Sequence, residues 1–420
     1  MQEMNVRMLG DGVRLTCITT GQWKKSLLRA CFVLPLDGEG RSMAALLPSV
    51  LRASCSVYPG RQQVAVRLDE LYGARLEPFV SKRGEAQVIG VMADVIDERF
   101  GTPGMVQDTA RLVTDVLLRP TEHFEEAVLR READIWKARI AALPDNKRIW
   151  VIRRMFQLMC AEEPYRLVEF GDPEALDAIT PEALYTYYRS VLRTAPLELF
   201  YCGSMDADHV EQIFREALCR LPQRCCTGYP DLAVRGAAEQ LRWSVEEEPV
   251  KQGKLAIGIR LGISVTDPLY PAMVLFNACY GGNTASRLFR TVREQKSLCY
   301  YASSQTDKLK GVMAVSSGVE NANARPACEE ILRQLSLIQH GDLKEQEIET
   351  ARRSVQASLR TIVDSPYSLE NFYQMQSVIG LDSTLEQLID QIDRVTAEQI
   401  TEAARCAKPD LVYFLKGAAT

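Results

Sequence analysis

The order of elements that hydropathy predicts for the first half of this 420-residue chain recurs in its second half. Residues 13–20 and 27–34 carry the apolar patterning of strands, and a helical face of Leu46, Leu47, Val50 and Leu51 follows over 42–52. Pro48 lies within that helix and costs about 3 kcal/mol if truly interior, so the helix is expected to kink or to begin there. Residues 61–75 close as a helix at Gly73, strands cover 75–81 and 87–95, and helices cover 105–118, 124–143 and 147–160. Thr180-Pro181-Glu182 starts another helix with a capping hydroxyl and a proline in the first turn, ahead of a strand over 197–202.

The second half repeats the pattern. Strands at 241–245 and 254–261 precede a helix at 271–280, strands at 300–304 and 311–317, helices at 323–338 and 344–361, a start at Thr396-Ala397-Glu398, and a strand at 411–415. Equivalent positions lie about 214 to 228 residues apart, so the chain is a tandem duplication of one unit of about 200 residues. The fold class that follows is α+β: two tandem homologous domains, 1–225 and 236–420, each an antiparallel sheet covered by helices on one face. The join lies between about Gln223 and Gln240, where Cys225, Cys226, Gly228, Pro230 and Gly236 break the periodicity, and it is expected to be exposed and mobile.

Composition narrows the function. A formal net charge of -5 with no long basic run argues against a nucleic-acid partner. No run reaches the 18 or so apolar residues of a membrane span, and the start carries no apolar leader, so a cytoplasmic protein with no membrane partner is expected. Twelve cysteines are scattered without a C-x-x-C spacing, which suggests neither a disulfide framework nor a structural zinc site.

The most specific stretch is Gly281-Gly282-Asn283-Thr284-Ala285-Ser286-Arg287-Leu288-Phe289, continuing through Arg293-Glu294-Gln295-Lys296-Ser297-Leu298-Cys299-Tyr300. Its glycines allow positive φ or a close backbone approach. A helix follows, with Leu288 and Val292 on one face, and residues 298–302 start a strand. This segment resembles the second-half signature of the pitrilysin, insulinase and mitochondrial-processing-peptidase family of zinc peptidases, which reads roughly G-G-x-x-S-S-R-L-F and then R-E-x-x-x-L-x-Y. The resemblance implies a half-clamshell metallopeptidase-like fold and makes Arg293 and Tyr300 substrate-binding residues that orient the peptide backbone near the reacting carbonyl. An ordinary helix-to-strand connection with a surface arginine is the competing reading.

Active members of that family carry H-x-x-E-H in the first half, where two histidines hold zinc and the glutamate is the general base. Alignment places the motif at about Ala45-Leu46-Leu47-Pro48-Ser49, which offers no zinc ligand set. His123, His209 and His340 stand at no chelating spacing and read as surface or cap residues. Glu132 is the best match to the family's third ligand; a glutamate paired with Arg130 or Arg131 is the alternative. No metal, cofactor or catalytic residue is therefore expected.

Leu71-Tyr72-Gly73-Ala74 and Ser81-Lys82-Arg83-Gly84 resemble the bacterial branch of the family that contains inactive partners. The resemblance implies a non-catalytic chain that meets a peptide substrate together with a zinc-bearing homologue as a heterodimer, or as a homodimer. A scaffold or peptide-binding subunit with no part in hydrolysis is the alternative.

Overall fold

A computed structural model describes residues 3–38 and 40–417. In chain order the first half forms β1 Glu3–Gly10, β2 Val13–Thr19, β3 Lys25–Pro35, α1 Arg41–Ala53, α2 Gly60–Glu70, β4 Arg75–Arg83, β5 Ala86–Ile96, α3 Met105–Leu118 and α4 Glu126–Ala141. Then come α5 Lys147–Met159, α6 Pro173–Ala178, α7 Pro181–Thr194, β6 Leu197–Gly203 and α8 Ala207–Ala217. The second half forms β7 Arg242–Glu248, β8 Gly253–Arg260, α9 Tyr270–Tyr280, a π-helical segment Leu288–Gln295, β9 Tyr301–Asp307 and β10 Val312–Val319. It ends with α10 Ala324–Gln339, α11 Glu345–Arg360, α12 Pro366–Ser377, α13 Leu385–Asp393, α14 Ala397–Cys406 and β11 Lys408–Gly417. The repeated starts behave as their chemistry demands: Thr180 accepts from the Ala183 amide and Thr396 from the Gln399 amide, each satisfying a donor that the first turn leaves free.

The chain folds into two compact units, each assembled from three segments: 1–141, 167–231 and 364–382 in the first, and 142–166, 232–363 and 383–420 in the second. These are not the contiguous halves 1–225 and 236–420. The first unit takes α12 from the second half of the chain, and the second unit takes α5 from the first half.

In the first unit the strand order is β1-β2-β6-β3-β5-β4, with β2 parallel to β6 and the other neighbours antiparallel. Alternate residues of β3, Leu28, Ala30, Phe32 and Leu34, join one core with Leu46, Leu47 and Val50 of α1 and Val106, Ala110 and Val113 of α3. Helix α1 begins at Arg41 and continues through Pro48, so it does not start late at that proline. The opposite face of the sheet takes α12. There Arg29 of β3, almost fully buried, forms an ion pair with buried Glu370 of α12, and its guanidinium lies 4.0 Å from the Phe79 ring centroid. Arg83 of β4 donates to Gln374 of the same helix at 3.1 Å.

The second unit repeats the plan with the order β7-β11-β8-β10-β9. Helices α10 and α9 lie on one side, α9 packing against α11 and α14, while α5 lies across the other beside Ala256, Val312, Ala314 and Tyr413. Gly258 permits this contact: a Cβ there would stand 2.3 and 2.4 Å from the sulfurs of Met155 and Met159. Just beyond α5, buried Glu163 receives Arg260 of β8 at 2.7 Å and Lys310 at 2.6 Å, and Arg260 also reaches Asp410 of β11 at 2.7 Å. Burial pushes the Glu163 carboxyl up, but the hydrogen bonds from Arg260 and Lys310 outweigh it and hold the group below its ordinary value.

The join is coil, and its residues 225–233 are hydrogen-bonded to the units. Cys225 and Thr227 donate backbone amides to Arg193 and Thr194, Tyr229 reaches buried Glu198, and the Ala233 carbonyl accepts from Lys310 at 2.8 Å. Its residues are nonetheless mostly exposed or half-buried, as the sequence leads one to expect of a join.

Truncating one member of a buried pair strands the other charge, so Glu370→Ala is expected to destabilise the protein by about 3 to 5 kcal/mol in denaturant titrations. The Glu163 contribution is full above the ordinary glutamate pKa of about 4.3 and is lost as pH falls through its lower folded value. Glu163→Gln should therefore flatten the loss of stability below about pH 4 seen in acid unfolding followed by circular dichroism. Because each unit needs a helix from the other half, 1–231 and 232–420 expressed as separate chains should fold only when co-expressed, read as co-purification of the two fragments.

Candidate functional site

The segment from Gly281 to Tyr300 lies wholly in the second unit. At Gly281, where α9 ends, φ is -151°, so the close approach and not positive φ explains the residue. A Cβ there would stand 2.6 Å from Ser304 Oγ and 2.7 Å from its amide nitrogen, and that amide donates to the Gly281 carbonyl at 2.9 Å. The glycine thus lets β9 dock against the helix end.

The following helix is π-helical, with the Lys296 amide bonded to the Thr291 carbonyl five residues back at 3.0 Å. A π-helix has a wider turn than an α-helix, so residues four apart nearly superpose. Leu288 and Val292 are both fully buried, and on the exposed side the Arg293 guanidinium lies 4.4 Å from the Phe289 ring centroid. Ion pairs fasten both ends. Arg287 makes a fork-to-fork contact with Glu347 of α11 at 2.8 and 3.1 Å, and Lys296 meets Glu330 of α10 at 2.6 Å. Hydrogen bonds from Arg333 and Lys296 outweigh burial and hold the Glu330 carboxyl down at about 2, so this anchor stays charged through neutral pH.

Arg293 is therefore an exposed cation on a fixed platform, and among the described residues no carboxylate pairs with it. Tyr300 is 59% exposed, and its hydroxyl donates to Glu320 Oε1 at 2.5 Å. The hydrogen bond to Glu320 and the charge of that carboxylate push the phenol up, so it remains protonated across neutral pH. The two side chains are not hydrogen-bonded to each other among the described residues, and the phenolic proton is already directed at Glu320. Sequence reasoning missed Glu320, whose only signal is its place just past the end of β10. It also missed Arg148 of α5, which lies 4.4 Å from the ring centroid of Tyr301 and donates to Ser303 at 3.5 Å.

In the first unit the position expected for H-x-x-E-H falls on α1. Ala45 and Pro48 are buried in the core, Ser49 is half-buried, and a methyl, a pyrrolidine ring and a hydroxyl do not make a zinc ligand set. Glu132 of α4 is 3% exposed, but its carboxylate accepts from Arg61 of α2 and lies 3.5 Å from Arg131. Of the sequence-level alternatives, the arginine pairing holds, with Arg61 as an additional partner that distance in sequence concealed. The residues present do not fit zinc. His123 and His209 are exposed, and His340 caps the end of α10 with Nδ1 2.7 Å from the Ser336 carbonyl.

Residues 178–355 match a family model described as the peptidase M16 inactive domain. The probable inactive metalloprotease YmfF of Bacillus subtilis is 31% identical over 412 residues, which cover 97% of this chain and 96% of that protein. This chain belongs to the peptidase M16 family. Among solved structures, a conserved protein from Enterococcus faecalis V583 aligns with a TM-score of 0.88 at 25% identity, with 99% of each chain covered. A peptidase M16 inactive domain from Pseudomonas fluorescens shares the fold at a TM-score of 0.81 and 16% identity, again over 99% of each chain. Core-forming residues stand at the positions of this chain where the sequence resemblance places the zinc motif. No helix among its described residues is long and apolar enough to cross a membrane.

Purified chain is expected to carry no stoichiometric zinc by elemental analysis and to cleave no peptide alone. The triple replacement Ala45→His, Pro48→Glu, Ser49→His should not restore hydrolysis, because Arg61 occupies the remaining carboxylate and the supporting hydrogen bonds of a metal site are missing.

Proposed function

We propose that this chain is the non-catalytic, substrate-orienting subunit of a heterodimeric peptidase whose partner chain carries the zinc. The observation that carries the reading is the state of Arg293: exposed, without a carboxylate partner among the described residues, and fastened between the Arg287 and Lys296 ion pairs. Holding a cation unpaired on a rigid element suits recognition of an acceptor brought from outside. Peptide hydrolysis needs a metal-bound water and a base on one side of the substrate and donors that hold the extended backbone on the other. This chain supplies the second set. Arg293 donates to the substrate carbonyl in a charge-assisted bond, and Tyr300 exchanges Glu320 for the same oxygen as it gains negative charge. Twelve free cysteines suit a reducing compartment, in keeping with a cytoplasmic location.

A scaffold that binds peptide without hydrolysis is the second reading, favoured by the bond that already satisfies the Tyr300 hydroxyl.

The pair reconstituted with a zinc-bearing homologue separates the two. Arg293→Ala or Tyr300→Phe is expected to lower kcat by about 100- to 1000-fold, corresponding to about 2.7 to 4 kcal/mol, with a smaller change in KM. Unchanged turnover in an intact assembly would leave the scaffold reading in its place.

A further inference from the structure

Two cations of the second unit share one aromatic ring. The Arg148 guanidinium of α5 lies 4.4 Å from the ring centroid of Tyr301, and the Lys254 ammonium of β8 lies 5.8 Å from the same centroid. The sheet register brings them together: Lys254 stands opposite Gly318 of β10, and Gly318 stands opposite Tyr301 of β9. Gly318 keeps the way across clear, since a Cβ there would stand 2.7 Å from Tyr301 Cε1 and 3.0 Å from Gln252 Oε1. The Tyr301 hydroxyl lies 3.2 Å from Ser316 Oγ, which fixes the ring that both cations use.

Arg148 donates to Ser303 Oγ at 3.5 Å and Lys254 to the neutral amide of Gln252, and among the described residues neither meets a carboxylate. The acidic groups of the neighbouring elements are committed elsewhere: Glu248 to Lys147, Glu246 to Arg154 and Tyr413, and Glu320 to Tyr300. Lys254 is half-buried, so water does not fully stand in for the missing anion. Burial and the Arg148 charge push its ammonium down, the mark of a positive field left without an opposing charge. A carboxylate suits that place, because a guanidinium fork holds both of its oxygens while the ammonium adds a second charge beside them.

We propose that Arg148 and Lys254 form a carboxylate-binding subsite beside Tyr301, which takes an acidic side chain or the C-terminal carboxylate of a peptide. The subsite begins one residue beyond Tyr300, so peptide held there is selected for negative charge. It rests on the reading that this chain meets peptide, and not on a zinc-bearing partner.

Competitive acetylation of the full chain with trace acetic anhydride tests the proposal, with each lysine read by peptide mass mapping and Lys416, paired with Glu247, as internal reference. N-acetylglutamate α-amide carries only a side-chain carboxylate, N-acetylalanine only a C-terminal one, and N-acetylglutamine α-amide neither. A carboxylate that pairs with Lys254 raises its pKa and leaves less free amine. Labelling of Lys254 is therefore expected to slow by about fivefold at saturation, the factor that pairing with a partly exposed charge gives. The glutamine compound should leave the rate unchanged, and the compound that protects identifies the source of the carboxylate. Arg148→Gln, at an exposed position and checked for folding by circular dichroism, should lose the protection. Equal labelling with all of these compounds, protection by inorganic phosphate alone, or undiminished protection in folded Arg148→Gln would each overturn the proposal. Single residues are too short to need Arg293 or a partner chain. Unchanged turnover in the reconstituted pair would thus remove the peptidase-subunit reading and leave this result standing.

Discussion

The structure depends on two buried charge contacts that fix exchanged helices. Arg29 holds Glu370 of α12 on the first sheet, and Arg260 with Lys310 holds Glu163 beyond α5 on the second. Each acidic group comes from the half of the chain that does not supply the sheet. A carboxylate buried between such a segment and a sheet is tolerated only when matched. The pairs satisfy the charges that each exchanged segment brings to the other half's sheet, while apolar contacts such as those of Val151, Met155 and Met159 complete the core.

The same architecture makes plain core of the helix on which the metal motif was expected. Position 45 in α1 is a methyl, position 48 a proline ring, and the neighbouring Leu46 and Leu47 are fully buried, so the helix serves only packing. In the second unit the polar groups of interest lie on the segment after α9. There the π-helical segment is fastened at both ends by ion pairs, and its exposed face carries Arg293 over Phe289. The two units thus differ at these places: α1 is packing alone, and the segment after α9 holds a polar surface between ion pairs.

Local signals were strong enough to read much of this from the chain itself. Alternation along β3 and β8, the Thr-capped starts of α7 and α14, and the recurring order of elements all arise from side chains a few residues apart, so the duplication and the α+β class were legible. The membership in the peptidase M16 family was legible too, because the string from Gly281 to Tyr300 is a matter of residue identity. The sequence also marked Arg293 and Tyr300 as a pair to examine. Helix α12 was missed, and β1 and α8 with it, since their amphipathic patterns are short and their significance lies in what they cover.

Tertiary structure alone decided the partners. Arg61 reaches Glu132 across 71 positions, Tyr300 reaches Glu320 across 20, and Arg29 reaches Glu370 across 341, distances over which no periodicity carries information. That the segment after α9 winds as a π-helix, with both of its ends held by ion pairs to α10 and α11, likewise appears only in the folded chain. What the sequence determined by itself was the inventory of groups and the repeated unit. Which charges are paired, which helix completes which sheet, and which strand edge stays open were settled only by folding, because burial and pairing belong to neighbours in space.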